Sequence, residues 1–198
     1  MTSLADRHAR FDALVLPHLD RLFAFAMRRA DARVDAEDAV QDACVRAWVA
    51  FDELRDPASV RAWLYRILRS VLAESAERQA RRRQLVDITR LDAEHDALVG
   101  GDADVVFEEV AARLTGEEVR AALRQIPDDF ALAVELHDMD GFKYQEIAEI
   151  VGVPIGTVMS RISRGRRLLA GAVLASRAAA SRDAASSAAP RGPRGGAR

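Results

Sequence analysis

Apolar residues recur at helical spacing along most of this chain, and nowhere do they alternate convincingly as a strand requires. Phe11, Leu14, Val15, Leu19, Leu22 and Ala26 form the first series. A second helix is predicted from about Asp35 to Phe51, with Val40, Cys44, Ala47, Trp48 and Phe51 as its inward stripe. The loop 52–59, DELRDPAS, contains Pro57 and ends at Ser59, a residue suited to cap the next helix. That helix is predicted from about Val60 past Arg83. Trp63, Leu64, Ile67, Leu68, Val71 and Leu72 face inward, and its end is basic at Arg78 and Arg81 to Arg83. The period then lapses. Residues 84–115 are acidic, hold Gly100-Gly101 and suit a linker with at most a short helix. Helical patterns resume at about 117–125 and 128–138, broken by Pro127, with Asp128 placed to cap the second. From Ser176 onward the chain is Ala, Ser, Gly, Pro and Arg with one acid, Asp183, and this composition predicts disorder.

The stretch 144–169, YQEIAEIVGVPIGTVMSRISRGRRLL, has the pattern of a helix-turn-helix. Ile147, Ala148 and Val151 share one face of the first helix. Gly152 permits the tight turn, and Pro154 stops the helix from continuing. The second helix is predicted to start near Gly156 and Thr157, with Thr157 as N-cap and Val158 and Ile162 inward. Met159, Ser160, Ser163, Arg164 and Arg167 then fall on or near the outer face. Hydroxyls and guanidiniums on one helix face suit a major groove, where arginine pairs with guanine or neutralises phosphate. The other reading of the same pattern is an amphipathic helix pair with a solvated basic face.

Composition changes this picture in one respect. The 198-residue chain has a formal net charge of only −2, so nothing global marks a nucleic-acid binder. The distribution does: Arg161, Arg164, Arg166 and Arg167 stand in 155–175 with no acid. Phosphate neutralisation supplies most non-specific affinity, so the free chain is expected to bind DNA weakly and to need a partner. Cys44 is the only cysteine, which excludes an internal disulfide and a cysteine-rich zinc site. His8, His18, His95 and His137 are scattered without metal-ligand spacing. Neither a metal nor a cofactor is expected, and no cluster suggests a catalytic site. No apolar run reaches the roughly 20 residues a membrane span needs. The charged start, with Asp6, Arg7 and Arg10, is unlike a secretory leader, so a cytoplasmic protein without membrane insertion is expected.

Two separated segments carry one resemblance. DAEDAVQDACVRAWVAFDEL followed by SVRAWLYRILRS resembles region 2 of bacterial sigma factors. IPDDFALAVELHDMDGFKYQEIAEIVGVPIGTVMSRISRGRRLL, from Ile126 to Leu169, resembles their region 4. The pairing in this order, with only a short connection, resembles the extracytoplasmic-function (ECF) subfamily of the sigma-70 superfamily. The resemblance implies an all-α chain of two small helical domains joined by a flexible acidic linker. Its expected divisions are region 2 at 10–83, linker at 84–115, region 4 at 116–172 and a disordered tail at 173–198. It implies binding to core RNA polymerase through the largest-subunit clamp helices and the flap, recognition of promoter DNA, and sequestration by an anti-sigma factor.

Residue roles follow from the same resemblance. Asp38, Gln41 and Asp42 lie on the face opposite the Val40–Trp48 stripe. By themselves they fit either a solvated helix face or a surface for a basic partner; the resemblance implies docking on the polymerase clamp helices. Leu54, Asp56, Ser59, Tyr65 and Ser70 would surround a captured −10 base, and Arg61, Arg66 and Arg69 would meet the displaced strand's phosphates. A solvated face or intrahelical ion pairs is the other reading of these arginines. Ser70 stands where the family often has asparagine, and Leu54 where an aromatic is common, which leaves the −10 base preference open. In region 4, Met159, Ser160, Ser163 and Arg164 would face −35 bases, with Lys143, Tyr144, Arg161, Arg166 and Arg167 on phosphates. Met159 occupies a position often basic in the family, where an apolar contact to a thymine methyl would replace a hydrogen bond. The acidic linker fits either a nucleic-acid mimic in the polymerase channel or a plain tether.

The competing function is a helix-turn-helix regulator that acts without replacing sigma. Such proteins usually dimerise on two half-sites. No ligand pocket or phospho-acceptor pattern accompanies the helix-turn-helix here, whereas VRAWLYRI does.

Overall fold

A computed structural model describes residues 3–84 and 116–187. All but the first residue of the predicted linker, and the last eleven residues of the chain, lie outside the described residues. Among the described residues there is no strand, and the fold is all-helical. Contacts divide the chain into two compact units: Met1–Leu98 with Glu135–Ser160, and Val99–Val134 with Arg161–Arg198.

The first unit opens with α1 (Leu4–Val15), started by a reciprocal cap. The Ser3 hydroxyl accepts from the Asp6 N–H, and the Asp6 carboxylate accepts from the Ser3 N–H, both at 3.2 Å. The first apolar series is not one helix. Pro17 lacks the N–H and crowds the preceding turn, so Leu16–His18 tighten into a 3-10 turn before α2 (Leu19–Arg29). Next come α3 (Arg33–Val49) and α4 (Val60–Gln84), and α2 packs against both. Leu22, Phe25 and Ala26 of α2 and Leu64, Tyr65, Leu68 and Val71 of α4 are buried in the core, with the Phe25 and Tyr65 rings 5.1 Å between centroids.

The inward side of α3 differs from the predicted stripe. Ala36, Ala39, Ala43 and Ala47 are the fully buried residues, whereas Val40, Cys44 and Trp48 are half-buried. Small side chains let helix axes approach closely, so alanines take the centre of the contact and bulkier neighbours flank it. Trp48 is instead covered by α1: the Phe11 ring meets it edge-on at 5.1 Å and the Arg7 guanidinium lies 4.1 Å from its ring centre. A 3-10 turn, Pro57–Ser59, leads into α4: Asp56 caps that turn, accepting from the Ala58 N–H at 3.0 Å, and the Ser59 hydroxyl donates to the Asp56 carbonyl at 2.8 Å.

The second unit contains α5 (Gly116–Leu123) and α6 (Asp128–Val134) with most of α8 (Ile155–Ser187). Asp128 lies inside the first turn of α6, and the Pro127 carbonyl accepts from Phe130 and Ala131. Gly165 is buried, and a β-carbon there would meet Val134 Cγ2 at 2.6 Å and the Phe130 carbonyl oxygen at 2.8 Å. Glycine is what lets α8 cross α6 at this distance. α8 continues past Ser176, where composition predicted disorder, to Ser187. Alanine has the highest helix propensity, and the Pro/Gly cluster begins only at Pro190.

Candidate nucleic-acid interface

The helix-turn-helix is built as its glycine predicts. α7 (Tyr144–Val151) ends at Gly152, which adopts φ +77 and donates its N–H to the Ala148 carbonyl at 2.8 Å. The Glu146 carboxylate accepts from the Lys143 N–H at 2.7 Å and steadies the start of α7. Ile147 and Ile150 are its fully buried residues, with Ala148 and Val151 half-buried; Ile150 had not been singled out in the sequence. α8 begins at Ile155, with the Pro154 carbonyl accepting from Thr157 and Val158. Thr157 therefore lies within the first turn and does not cap it. Val158 and Ile162 are buried, as their spacing requires.

Met159, Ser160, Ser163, Arg164 and Arg167 are exposed along α8, and Lys143 is exposed beside them in sequence at the start of α7. Arg161, Arg166 and Tyr144 are half-buried. Arg161 is already engaged, 2.5 Å from the Asp129 carboxylate. The Tyr144 ring packs against His137, 4.7 Å between centroids. The exposed set is one of donors and one apolar tip, which suits base edges and phosphates.

The residues expected around a −10 base divide into two groups. Leu54, Asp56, Ser59 and Arg66 line a cleft of about 270 Å³ with Trp63, and Glu149 and Ile150 of α7 form part of its wall. Arg61, Tyr65, Arg69 and Ser70 are not in that cleft. The Ser70 hydroxyl donates to Glu74 at 3.2 Å. Arg69 lies 3.5 Å from the carbonyls of both Ile150 and Val151, at the negative end of α7. Tyr65 is fully buried and donates to the Asp140 carboxylate at 3.1 Å, and its ring meets Phe142 edge-on at 4.7 Å. Arg61 donates to the Asp140 carbonyl and lies 3.9 Å from the centre of the Phe142 ring.

These contacts belong to a charged cluster that sequence patterning did not reveal. Residues Glu135–Met139 form a π-helical turn, closed by the Asp140 N–H to the Glu135 carbonyl at 3.0 Å. The turn directs Glu135 and Asp140 inward, 2% and 5% exposed. Arg28 reaches Asp140 at 2.6 Å, and Arg29 reaches Glu135 at 3.3 Å. Burial pushes both carboxyls above the usual carboxylate range, with the arginines acting in the opposite direction. Burial and the nearby Asp140 charge also push the Tyr65 phenol up. In the sequence, Glu135, Asp138 and Asp140 follow the apolar run Phe130–Val134, and nothing local marks which of them turn inward.

On α3, Asp38 and Gln41 are exposed and Asp42 is half-buried. Val34, Val45 and Val49 are exposed on the same helix, at 65%, 62% and 74%. Asp42 is held by Arg46 at 3.0 Å, and Arg46 also bonds Glu74 of α4 at 2.6 Å. That hydrogen-bonded pairing holds the Glu74 carboxyl down at about 2. Among the described residues no cluster of His, Cys, Asp or Glu could hold a metal ion. No described helix is long and apolar enough to cross a membrane.

Comparison with known proteins identifies both halves. Residues 14–82 match the family model for sigma-70 region 2, and residues 116–169 match that for sigma-70 region 4. The ECF RNA polymerase sigma-E factor of Escherichia coli K12 is 30% identical over 163 residues, covering 80% of this chain and 84% of that protein. The chain belongs to the ECF sigma factors. ECF RNA polymerase sigma factor SigE of Mycolicibacterium smegmatis is 33% identical over 159 residues, covering 80% of this chain but 60% of that longer protein. Among solved structures, the sigma factor RpoE from Bartonella quintana, in complex with the anti-sigma factor NepR, superimposes with a TM-score of 0.67. Its identity is 30%, over 83% of this chain and 96% of that one. CnrH in complex with the cytosolic domain of CnrY gives a TM-score of 0.59 at 27% identity, over 85% of this chain and 90% of that one.

Proposed function

We propose that this ECF sigma factor binds core RNA polymerase in the cytoplasm and directs promoter-specific transcription initiation. The observation that carries this reading is the presence of both sigma modules, in order, on one chain. The first module, 10–83, docks through Asp38, Gln41 and Asp42 and opens −10 DNA. Unstacking a base costs a few kcal/mol, and stacking in a pocket returns about 1–3 kcal/mol per base. The cleft beside Trp63 has the size and the mixed lining for one base, and Arg66 stands at it for phosphate. The second module, 116–172, presents α8 to the −35 major groove, with Arg164 on bases and Arg167 on phosphate. The acidic residues 84–115 connect the two. Polymerisation belongs to the core enzyme. The named partners of the structural relatives support an anti-sigma protein as the regulator of this chain too.

Run-off transcription with purified core polymerase and genomic fragments tests the reading. Discrete, chain-dependent transcripts are expected. A stable dimer that binds a palindrome without polymerase would instead establish the independent regulator.

A further inference from the structure

The turn of the helix-turn-helix and the start of α8 are uncharged. From Gly152 to Ser160 the sequence GVPIGTVMS carries no acid and no base. The first cation, Arg161, is turned to the Asp129 carboxylate at 2.5 Å. The usual readers of guanine, arginine and lysine, are therefore missing from this tip. What it presents instead is apolar. Ile155 is 45% exposed and Met159 53%, whereas Val158 and Ile162 are buried. Ile155 and Met159 lie one helical turn apart, so their side chains are surface neighbours, about 5–6 Å from Cβ to Cβ. Gly156 is exposed between them in sequence, and a β-carbon there would meet nothing within 4 Å. Packing does not demand glycine at this position; its lack of a side chain lets a ligand come close to the backbone.

Ser160 completes the tip. Its hydroxyl donates to the Thr157 carbonyl at 2.9 Å, so its one proton is engaged and the oxygen offers only lone pairs outward. Ile155, Met159 and Ser160 can thus bury a methyl group and accept a hydrogen bond, but none of them can donate one. In the major groove thymine shows a 5-methyl group, and adenine and cytosine show an amino donor. Only an A·T pair supplies both the methyl and the amino group. Successive base pairs rise by about 3.4 Å, so two side chains 5–6 Å apart span neighbouring pairs, not one.

We propose that Ile155 and Met159 read the 5-methyl groups of thymines in two adjacent base pairs of the −35 element, with Ser160 accepting from an adenine amino group beside them. The inference rests on the −35 reading of α8 and deepens it by naming the base pairs that the tip selects.

The test uses holoenzyme and promoter duplexes chosen from the run-off products. Each −35 thymine is replaced in turn by deoxyuridine, which removes the methyl group and leaves base pairing unchanged. Binding is expected to weaken about fourfold at each of two adjacent pairs, the value of one buried methyl group. Replacing those pairs by G·C should weaken binding further, and 5-methylcytosine in place of the cytosine should restore part of it. In the double variant Ile155→Ala with Met159→Ala, thymine and deoxyuridine promoters should bind alike. The comparison is a ratio between two DNAs on the same protein, so a loss of folded protein cancels. Three results overturn the proposal: a −35 element without adjacent A·T pairs, deoxyuridine binding as well as thymine throughout, or a thymine preference that survives in the double variant. If run-off yields transcripts but no methyl dependence, this inference alone fails; if it yields none, the functional reading falls with it.

Discussion

Gly165 stands where a β-carbon would lie 2.6 Å from the Val134 side chain. The second obstacle is backbone, the Phe130 carbonyl oxygen at 2.8 Å, which cannot rotate away as a side chain can. Gly165→Ala gains about 1 kcal/mol of helix propensity. It loses about 1–3 kcal/mol to overpacking, so a net fall in stability is expected. Urea unfolding of the two proteins measures it, and an alanine variant as stable as wild type would show that α8 need not lie this close to α6.

On the proposed reading, the exposed face of α8 divides into base readers and phosphate contacts. Arg164→Ala is expected to reduce discrimination among −35 sequences, by about 1–3 kcal/mol at the affected base pair. Arg167→Ala should weaken all sequences alike and lower the salt slope. Holoenzyme binding to a panel of −35 variants at several salt concentrations distinguishes them, and the opposite pattern would reverse the assignment.

Free duplex should be a poor ligand. The net charge of −2 opposes non-specific binding, and Arg161 is already paired with Asp129. Promoter duplex titrated with the isolated chain at physiological salt should bind far more weakly than with holoenzyme. Nanomolar affinity of the chain alone would contradict this.

Glu74 gives a pH signature. Its carboxyl is held at about 2 through hydrogen bonding to Arg46. A depressed folded-state value means that the stabilisation is present above the ordinary value near 4.5 and is lost as pH falls toward 2. In Arg46→Ala, NMR titration should find Glu74 back in the ordinary carboxylate range. A Glu74 that titrates alike in both proteins would mean that the pair is open in solution.

Most helices and the turn were legible because they rest on local signals: period, Pro127 as a break, and Gly152 in the left-handed conformation. Which face of α3 turns inward was not, since the seam is made of alanines and large side chains drew attention to its flank. The extent of α8 was not legible because the low complexity after Ser176 masks the helix propensity of its alanines. In the −10 set, Leu54, Asp56, Ser59 and Arg66 share one cleft because they belong to one loop and one helix turn. Tyr65 and Arg61 lie apart from it because Asp140, 75 and 79 positions away, holds them, and no local pattern encodes that pairing.

The alanine seam of α3 gives that helix two different freedoms to change. At positions 36, 39, 43 and 47 any larger side chain must push α2 or α4 aside, so substitution there is limited to the smallest residues. Val34, Asp38, Gln41, Val45 and Val49 are exposed and carry little of the packing. Their identities are therefore answerable to an outside partner more than to the fold. Over evolutionary time such a helix can re-tune what it touches while its scaffold stands still, and exchanging that exposed set between two sigma factors should transfer docking preference without rebuilding either core.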